Sequence, residues 1–166
     1  MKDNLTQIID KIWHCSDYQH IQQIISQARS RNEKIIFTNG CFDILHRGHV
    51  EYLGKAKDIG GFLVVGLNTD ASVRKIKGPN RPLQDEVSRA KVLASLFFID
   101  LVVLFDEETP IKLIDFIIPD VLVKGNDYKP EDIVGYDTVV SNGGIVKTIP
   151  LVEGYSTTSI INKMNK

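Results

Sequence analysis

The sequence has few cysteines, no long apolar run and almost no net charge, and each absence excludes a class of protein. Only two of the 166 residues are cysteines, Cys15 and Cys41, which excludes the disulfide framework of a small secreted domain. No apolar stretch approaches the roughly 20 residues of a membrane helix. The first residues mix charged with apolar side chains, unlike a signal peptide. We therefore expect a cytoplasmic protein without a membrane partner.

The net charge of −1 gives no electrostatic reason to expect nucleic acid as a partner, and an anionic ligand would need a local basic patch. Two common phosphate-binding motifs are also missing, because the sequence contains neither a Walker loop nor G-x-G-x-x-G. What is present is an ordinary globular composition, with 43% hydrophobic and 25% charged residues. A chain of this length can bury one full hydrophobic core.

Short apolar runs alternate with amphipathic segments along the chain. The runs predict strands, and the segments between them predict helices, of which 85–98 is the most regular. Strands that are apolar throughout are typical of a parallel sheet covered on both faces. We therefore predict a Rossmann-like α/β fold in residues 34–166, preceded by a helical arm in residues 1–33. About five strands are expected, at 34–37, 62–68, 101–105, 120–125 and 145–150.

The residues after the first predicted strand suit an anion. His46 and His49 stand three residues apart at the start of a predicted helix, so both rings project to one side. The helix start adds unpaired N–H groups and a positive dipole end, and Gly40 permits close backbone approach to a ligand. These features predict a phosphate site. Zinc held with Cys41 or Asp43 is the alternative, but no usual zinc spacing is present, and we expect no protein-bound metal.

A basic patch follows the second predicted strand. No acid intervenes between Asp70 and Asp85, and four cations lie there, namely Arg74, Lys75, Lys77 and Arg81. A solvated basic helix is the alternative, but ligands in open α/β sheets bind at the carboxyl ends of the strands. Arg89, in the next predicted helix, either reaches the rim of the same cleft or pairs with Asp85 four residues earlier.

Polar segments also follow the last two predicted strands. Lys124 and Asp127 come after the fourth, where an ordinary turn is the alternative. Ser156, Thr157 and Thr158 begin the last predicted helix. Hydroxyl groups there usually serve as caps, but together with backbone N–H groups they also suit an anion. Four strand ends therefore converge on phosphate-binding chemistry.

Four blocks of the sequence resemble, in order, the D-glycero-β-D-manno-heptose 1-phosphate adenylyltransferases of the HxGH nucleotidyltransferase superfamily. They are FTNGCFDILHRGHVEYL, NTDASVRKIKGPNRP, PDVLVKGNDYKPEDIVG and GYSTTSII, and the resemblance covers about residues 34 to 163. It implies transfer of AMP from ATP, bound with Mg²⁺, to heptose 1-phosphate, giving ADP-heptose and pyrophosphate. It also implies a homodimer. Some relatives carry a fused sugar kinase, which we expect here to be a separate protein.

The resemblance also implies roles. His46, His49 and Lys77 are expected to act in catalysis on the triphosphate. A sugar phosphate is mostly dianionic at neutral pH, since its second pKa is about 6, so no general base is required. Asp43, Arg89 and Asp127 are candidates on the sugar-phosphate or base side. The nucleotide- and phosphate-binding candidates are Thr38, Asn39, Gly40, Cys41, Phe42, Gly48, Arg74, Lys75, Arg81, Lys124, Ser156, Thr157 and Thr158.

Two other functions remain open at this point. A cytidylyltransferase acting on glycerol 3-phosphate or another phosphoalcohol would share the phosphate machinery. A non-catalytic nucleotide-binding module would bind ATP without releasing pyrophosphate, although it would have no need of contacts made only in a transition state.

Overall fold

Six parallel strands form one sheet in the computed structural model, which describes residues 2–126, 129–152 and 154–164. Their order across the sheet is β1-β4-β3-β2-β5-β6, and every neighbouring pair is parallel. The Rossmann-like α/β prediction is confirmed, with six strands instead of about five. The strands are β1 (Ile12–His14), β2 (Ile35–Gly40), β3 (Phe62–Asn68), β4 (Leu101–Phe105), β5 (Val121–Gly125) and β6 (Ile145–Ile149).

Helices cover both faces of the sheet. They are α1 (Asn4–Ile9), α2 (Tyr18–Ser30), α3 (Arg47–Lys57), α4 (Asp70–Lys77), α5 (Glu86–Ala94), α6 (Ile111–Ile117), α7 (Tyr136–Ser141) and α8 (Thr157–Met164). Successive strand residues face opposite sides, so Ile36 packs into one buried cluster and Phe37 into the other. None of the helices in the described ranges is long and apolar enough to cross a membrane.

The sixth strand comes from the segment that we expected to be a helical arm. This segment contains α1 and α2, but Ile12–His14 also pair with β4 at the edge of the sheet. The description of residues 1–33 as helical is therefore incomplete. A strand of three half-buried residues is too short to show a period-two pattern in the sequence. The division of the chain at residue 33 stays a prediction.

The order of the strands determines where a ligand can bind. From β2 the chain proceeds to β3 and β4 on one side, then returns to β5 on the other side of β2. Ligands of open α/β sheets bind beyond the carboxyl ends at such a reversal. β2 also extends to Gly40, three residues further than expected, so Thr38 to Gly40 belong to the strand and not to the turn after it.

Candidate active site

A cavity of about 470 Å³ opens beside the carboxyl ends of β2 and β5, where the strand order reverses. Its size suits a nucleotide, since ligand pockets usually measure about 300–1,000 Å³. The structure places most of the predicted site residues in its wall. These are Asn39, Gly40, Cys41, Phe42, Asp43, His46, Gly48, His49, Lys77, Lys124, Ser156, Thr157 and Thr158.

The two histidines stack on each other at the start of α3. Their ring centroids are 3.7 Å apart and the rings are inclined by 18°. His46 is the N-cap residue of α3, and its Nδ1 accepts a hydrogen bond from the backbone N–H of His49 at 3.4 Å. Phe42 contacts the other side of the pair, with its ring centroid 5.1 Å from that of His49. Both imidazoles are thus held in place by protein contacts.

Burial also favours the neutral form of both imidazoles. Burial, with the nearby His46 ring, lowers the pKa of His49 to about 4. Burial also lowers the pKa of His46. Because Nδ1 of His46 accepts a hydrogen bond, its proton is assigned to Nε2. A neutral imidazole keeps one N–H donor for a ligand, and a bound phosphate would favour the charged form and raise both pKa values.

Gly48 leaves room for the ring of His46 to stack on that of His49. A Cβ atom at this position would lie 3.1 Å from the ring of His46 and 3.2 Å from Cβ of Tyr155. Such contacts are tighter than most Cβ contacts in proteins, so a side chain at position 48 would push the His46 ring or Tyr155 away by a few tenths of an ångström. The turn between β2 and α3 contains one strained residue. Phe42 has a φ of +43°, which is rare for a bulky side chain.

Asp43 lines the cavity, but both of its oxygens are engaged. Oδ1 accepts hydrogen bonds from the backbone N–H groups of Leu83 at 2.7 Å and Gln84 at 3.2 Å, and Oδ2 accepts one from Nε of Arg81. Burial would raise the pKa of this carboxyl, but the hydrogen bonds from Arg81 and the backbone outweigh it and lower the pKa. Asp43 therefore holds the loop between α4 and α5 against the cavity.

Arg89 is buried beneath the cavity, with 1% of its surface exposed, and it does not reach the rim. The predicted pairing with Asp85 is wrong, because Asp85 caps α5 and accepts a hydrogen bond from the backbone of Ser88 at 2.9 Å. The guanidinium instead connects the ends of β2 and β3 with α4 and with the loop between α4 and α5. It donates to Cys41 O at 2.6 Å, Asn68 O at 2.8 Å, Gln84 O at 3.0 Å and Asp70 Oδ1 at 2.7 Å.

The basic patch is divided in the structure. Lys77 lines the cavity at the end of α4, whereas Arg74 and Lys75 are exposed and do not line it. Arg81 is bound to Asp43 and likewise does not line it. Thr38 is buried behind the wall.

The Thr38 hydroxyl lies 2.8 Å from the Tyr52 hydroxyl. Asp127 lies outside the described residues. The Asn39 side-chain oxygen is buried and has no hydrogen-bond partner among the described residues, as expected where a ligand would supply a donor.

Gly125, in the polar segment expected after the fourth strand, also lies in the wall, and four further wall residues were not predicted from the sequence, namely Tyr52, Leu151, Val152 and Tyr155. Tyr52 follows His49 by three positions in α3, so helical periodicity could have identified it. Tyr155 lies between β6 and α8, where no periodicity helps. Its ring lies 5.4 Å from the Arg47 guanidinium carbon, and its hydroxyl accepts a hydrogen bond from Arg47 at 3.4 Å.

The cavity offers little to a protein-bound metal. Asp43 is the single carboxylate among the described wall residues, and its oxygens are already bound. The zinc alternative needs a third ligand atom close to His46 and His49. No histidine, cysteine or carboxylate in the described ranges completes such a group with them.

Comparison with known proteins gives a consistent picture. A family model described as cytidylyltransferase-like matches residues 37–163. The bifunctional protein HldE of Geobacter metallireducens is 58% identical over 141 residues, which are 85% of this chain and 29% of that protein. HldE of Syntrophotalea carbinolica is 54% identical over 146 residues, 88% of this chain and 30% of that protein. The chain thus spans less than a third of the length of these curated relatives.

Solved structures agree on the fold. A lipopolysaccharide core biosynthesis protein from Thermoplasma volcanium GSS1 matches with a TM-score of 0.61 and 28% identity, over 75% of this chain and 99% of that one. A pantoate-beta-alanine ligase from Francisella tularensis matches with a TM-score of 0.51 and 18% identity, over 87% of this chain and 75% of that one. The second likeness shows the fold alone.

Proposed function

Because the chain belongs to the cytidylyltransferase-like family, we propose that it transfers AMP from ATP to D-glycero-β-D-manno-heptose 1-phosphate. The products are ADP-heptose, a precursor for lipopolysaccharide core or related heptose glycans, and pyrophosphate. One observation carries the proposal: a stacked pair of histidines shares a cavity with the Ser-Thr-Thr start of α8. The identity to proteins named HldE and the likeness to a lipopolysaccharide core biosynthesis protein support the choice of acceptor.

The triphosphate of ATP would lie across the cavity. The hydroxyl groups of Ser156, Thr157 and Thr158 and the first N–H groups of α8 would bind the β- and γ-phosphates, because a helix start attracts anions. Lys77 and Lys124 line the same cavity and supply positive charge. Backbone around Gly40 to Phe42 would approach the α-phosphate, and Asn39 is placed to contact the nucleotide.

In the reaction, an oxygen of heptose 1-phosphate attacks the α-phosphorus of ATP. The bond between that phosphorus and the bridging oxygen to the β-phosphate breaks, and pyrophosphate leaves with the electron pair. The dianionic acceptor needs no base, so catalysis consists of positioning and charge stabilisation. N–H donors of His46 and His49 would strengthen their hydrogen bonds as negative charge moves onto the leaving group.

Mg²⁺ would enter as part of the substrate MgATP. Oxygens of the triphosphate would hold it, because Asp43, the single carboxylate of the described wall, already accepts hydrogen bonds at both of its oxygens. Asp43 and Arg89 would then act by shaping the cavity wall, whereas Asp127 remains a candidate for contact with the sugar phosphate. We further propose that the chain forms a homodimer and that a sugar kinase supplies the heptose 1-phosphate. The word bifunctional in the relatives' name supports an associated second activity.

Pyrophosphate release tests the proposal. ATP, CTP and GTP would each be combined with heptose 1-phosphate and with glycerol 3-phosphate, in the presence of Mg²⁺. Release with ATP and heptose 1-phosphate alone is the expected result. Release with CTP and glycerol 3-phosphate would overturn the substrates while keeping the reaction type. Folded protein that binds ATP and releases nothing with any pair would favour a non-catalytic nucleotide-binding module.

A further inference from the structure

A second group of ligand-type side chains lies at the other end of the strand order, away from the cavity. His14 ends β1, Cys15 follows it, and Asp106 follows the neighbouring strand β4. Because His14 is in register with Leu104, the residues after both strands meet at the same edge. One ligand atom from each of the three side chains lies within 4.8 Å of the other two. None of the three lines the cavity described above.

The distances within this group approach those of a metal site. Nε2 of His14 lies 3.1 Å from Oδ2 of Asp106, and Sγ of Cys15 lies 3.9 Å from Nδ1 of His14. Zn²⁺ with bonds of 2.0–2.3 Å in tetrahedral geometry holds its ligand atoms about 3.3–3.8 Å apart. The two measured distances start from different nitrogens of the His14 ring, so side-chain rotations would have to close the spread of up to 4.8 Å between the three ligand atoms before they could share one ion.

Neighbouring groups already orient two of the three ligands. Thr69, the N-cap of α4, donates a hydrogen bond to Oδ1 of Asp106 at 3.0 Å, which leaves Oδ2 directed at His14. Nδ1 of His14 accepts a hydrogen bond from the backbone N–H of Ser16 at 3.2 Å and lies 2.9 Å from the Ser16 hydroxyl, which assigns the imidazole proton to Nε2, facing Asp106. Metal sites usually hold their histidines and carboxylates by such outer hydrogen bonds.

We propose that His14, Cys15 and Asp106 bind one Zn²⁺ ion, with water as the fourth ligand. Thiolate, imidazole and carboxylate together are typical of zinc, whereas Mg²⁺ and Ca²⁺ prefer oxygen alone. The charge also fits, because Glu107 and Asp106 place negative charge near Cys15. The ion would take the position of the proton between His14 and Asp106 and displace the Cys15 proton to solvent.

The ion would fasten the edge of the sheet. β1 has three residues, and within the described ranges it pairs with β4 alone, so few sheet hydrogen bonds hold it there. A metal that binds only the native state stabilises it in proportion to the logarithm of its concentration. With free zinc at 100 times the dissociation constant, we expect the melting temperature to rise by about 5–10 °C for a chain of this size.

Cobalt provides the sharpest test, because its spectrum reports both geometry and thiolate ligation. The full chain is stripped with EDTA and titrated with Co²⁺ and, separately, with Zn²⁺ against a chromophoric chelator. We expect one ion per chain, tetrahedral ligand-field bands and a sulfur-to-cobalt charge-transfer band. Cys15→Ser should abolish that band and weaken zinc binding at least 10-fold, and Asp106→Asn should weaken zinc binding as well. Cys41→Ser is the matched control and should keep both.

Absence of stoichiometric binding would overturn the proposal, as would binding that survives Cys15→Ser and is lost in Cys41→Ser. If a variant fails to fold, the charge-transfer band of the unmodified chain still decides whether a thiolate binds the ion. The readout is metal binding and not activity, so this proposal can fail or succeed independently of the reaction proposed above.

Discussion

The imidazole of His46 lies flat against that of His49, and a single glycine, Gly48, makes room for it. The H-x-G-H block therefore does more than supply two histidines, because its glycine lets the two rings contact each other. The stacked pair excludes water from His49 and keeps it uncharged, while its position at the start of α3 directs it toward the cavity.

His49→Ala should reduce kcat for pyrophosphate release by about 100-fold or more, the usual cost of losing one donor that stabilises developing charge. Steady-state kinetics with ATP and heptose 1-phosphate measures this change. His20→Ala, an exposed histidine in α2 outside the cavity, is the matched control and should retain full activity. A near-normal kcat in His49→Ala would refute the catalytic role.

Gly48→Ala and Gly54→Ala form a matched pair within α3. A Cβ at position 48 would press on His46 and Tyr155, whereas a Cβ at position 54 would meet nothing within 4 Å. We expect Gly48→Ala to lower kcat by about 10- to 100-fold through displacement of the histidine ring. Gly54→Ala should keep activity and raise the free energy of unfolding by up to about 1 kcal/mol. Equal activity of the two variants would contradict the packing argument.

Stability should fall in mild acid because of His49. Its folded-state pKa of about 4 lies below the ordinary value of 6.5, so the native state resists protonation that the unfolded chain accepts. The contribution is complete above pH 6.5 and is lost as the pH falls toward 4. Between pH 7 and pH 5 it amounts to about 2 kcal/mol. Urea unfolding at both pH values should show a smaller loss in His49→Gln than in the unmodified chain.

Arg89→Met should cost about 3 kcal/mol of stability or more, because it leaves three carbonyl oxygens and the Asp70 carboxylate without their donor. Chemical denaturation measures the change. Lys91→Ala, an exposed cation on the same helix, should stay within about 0.5 kcal/mol. If Arg89→Met keeps its stability but raises KM for a substrate, Arg89 contacts that substrate. Its interpretation as a residue that only connects β2, β3 and α4 would then be wrong.

The structural elements that were predicted best are those that leave a local pattern of apolar residues in the sequence. β3 is buried along its whole length, so its apolar run was sufficient to identify it. The sequence also predicted that Ser156 and the two histidines share one site, because the carboxyl ends of parallel strands lie at the same edge of the sheet. Arg89 could not be placed in this way, since its carbonyl partners at Cys41 and Asn68 are 48 and 21 residues away. Such bonds leave no trace in spacing or composition.

The two edge strands have a consequence for how this domain can be joined to others. β1 lies at one edge of the sheet, while β6, which leads into α8, lies at the other. At about 4.8 Å per strand, β1 stands roughly 14 Å from β2, whose end supplies the floor of the cavity. A polypeptide joined at the β1 edge would therefore meet the sheet three strands away from the strand that lines the cavity.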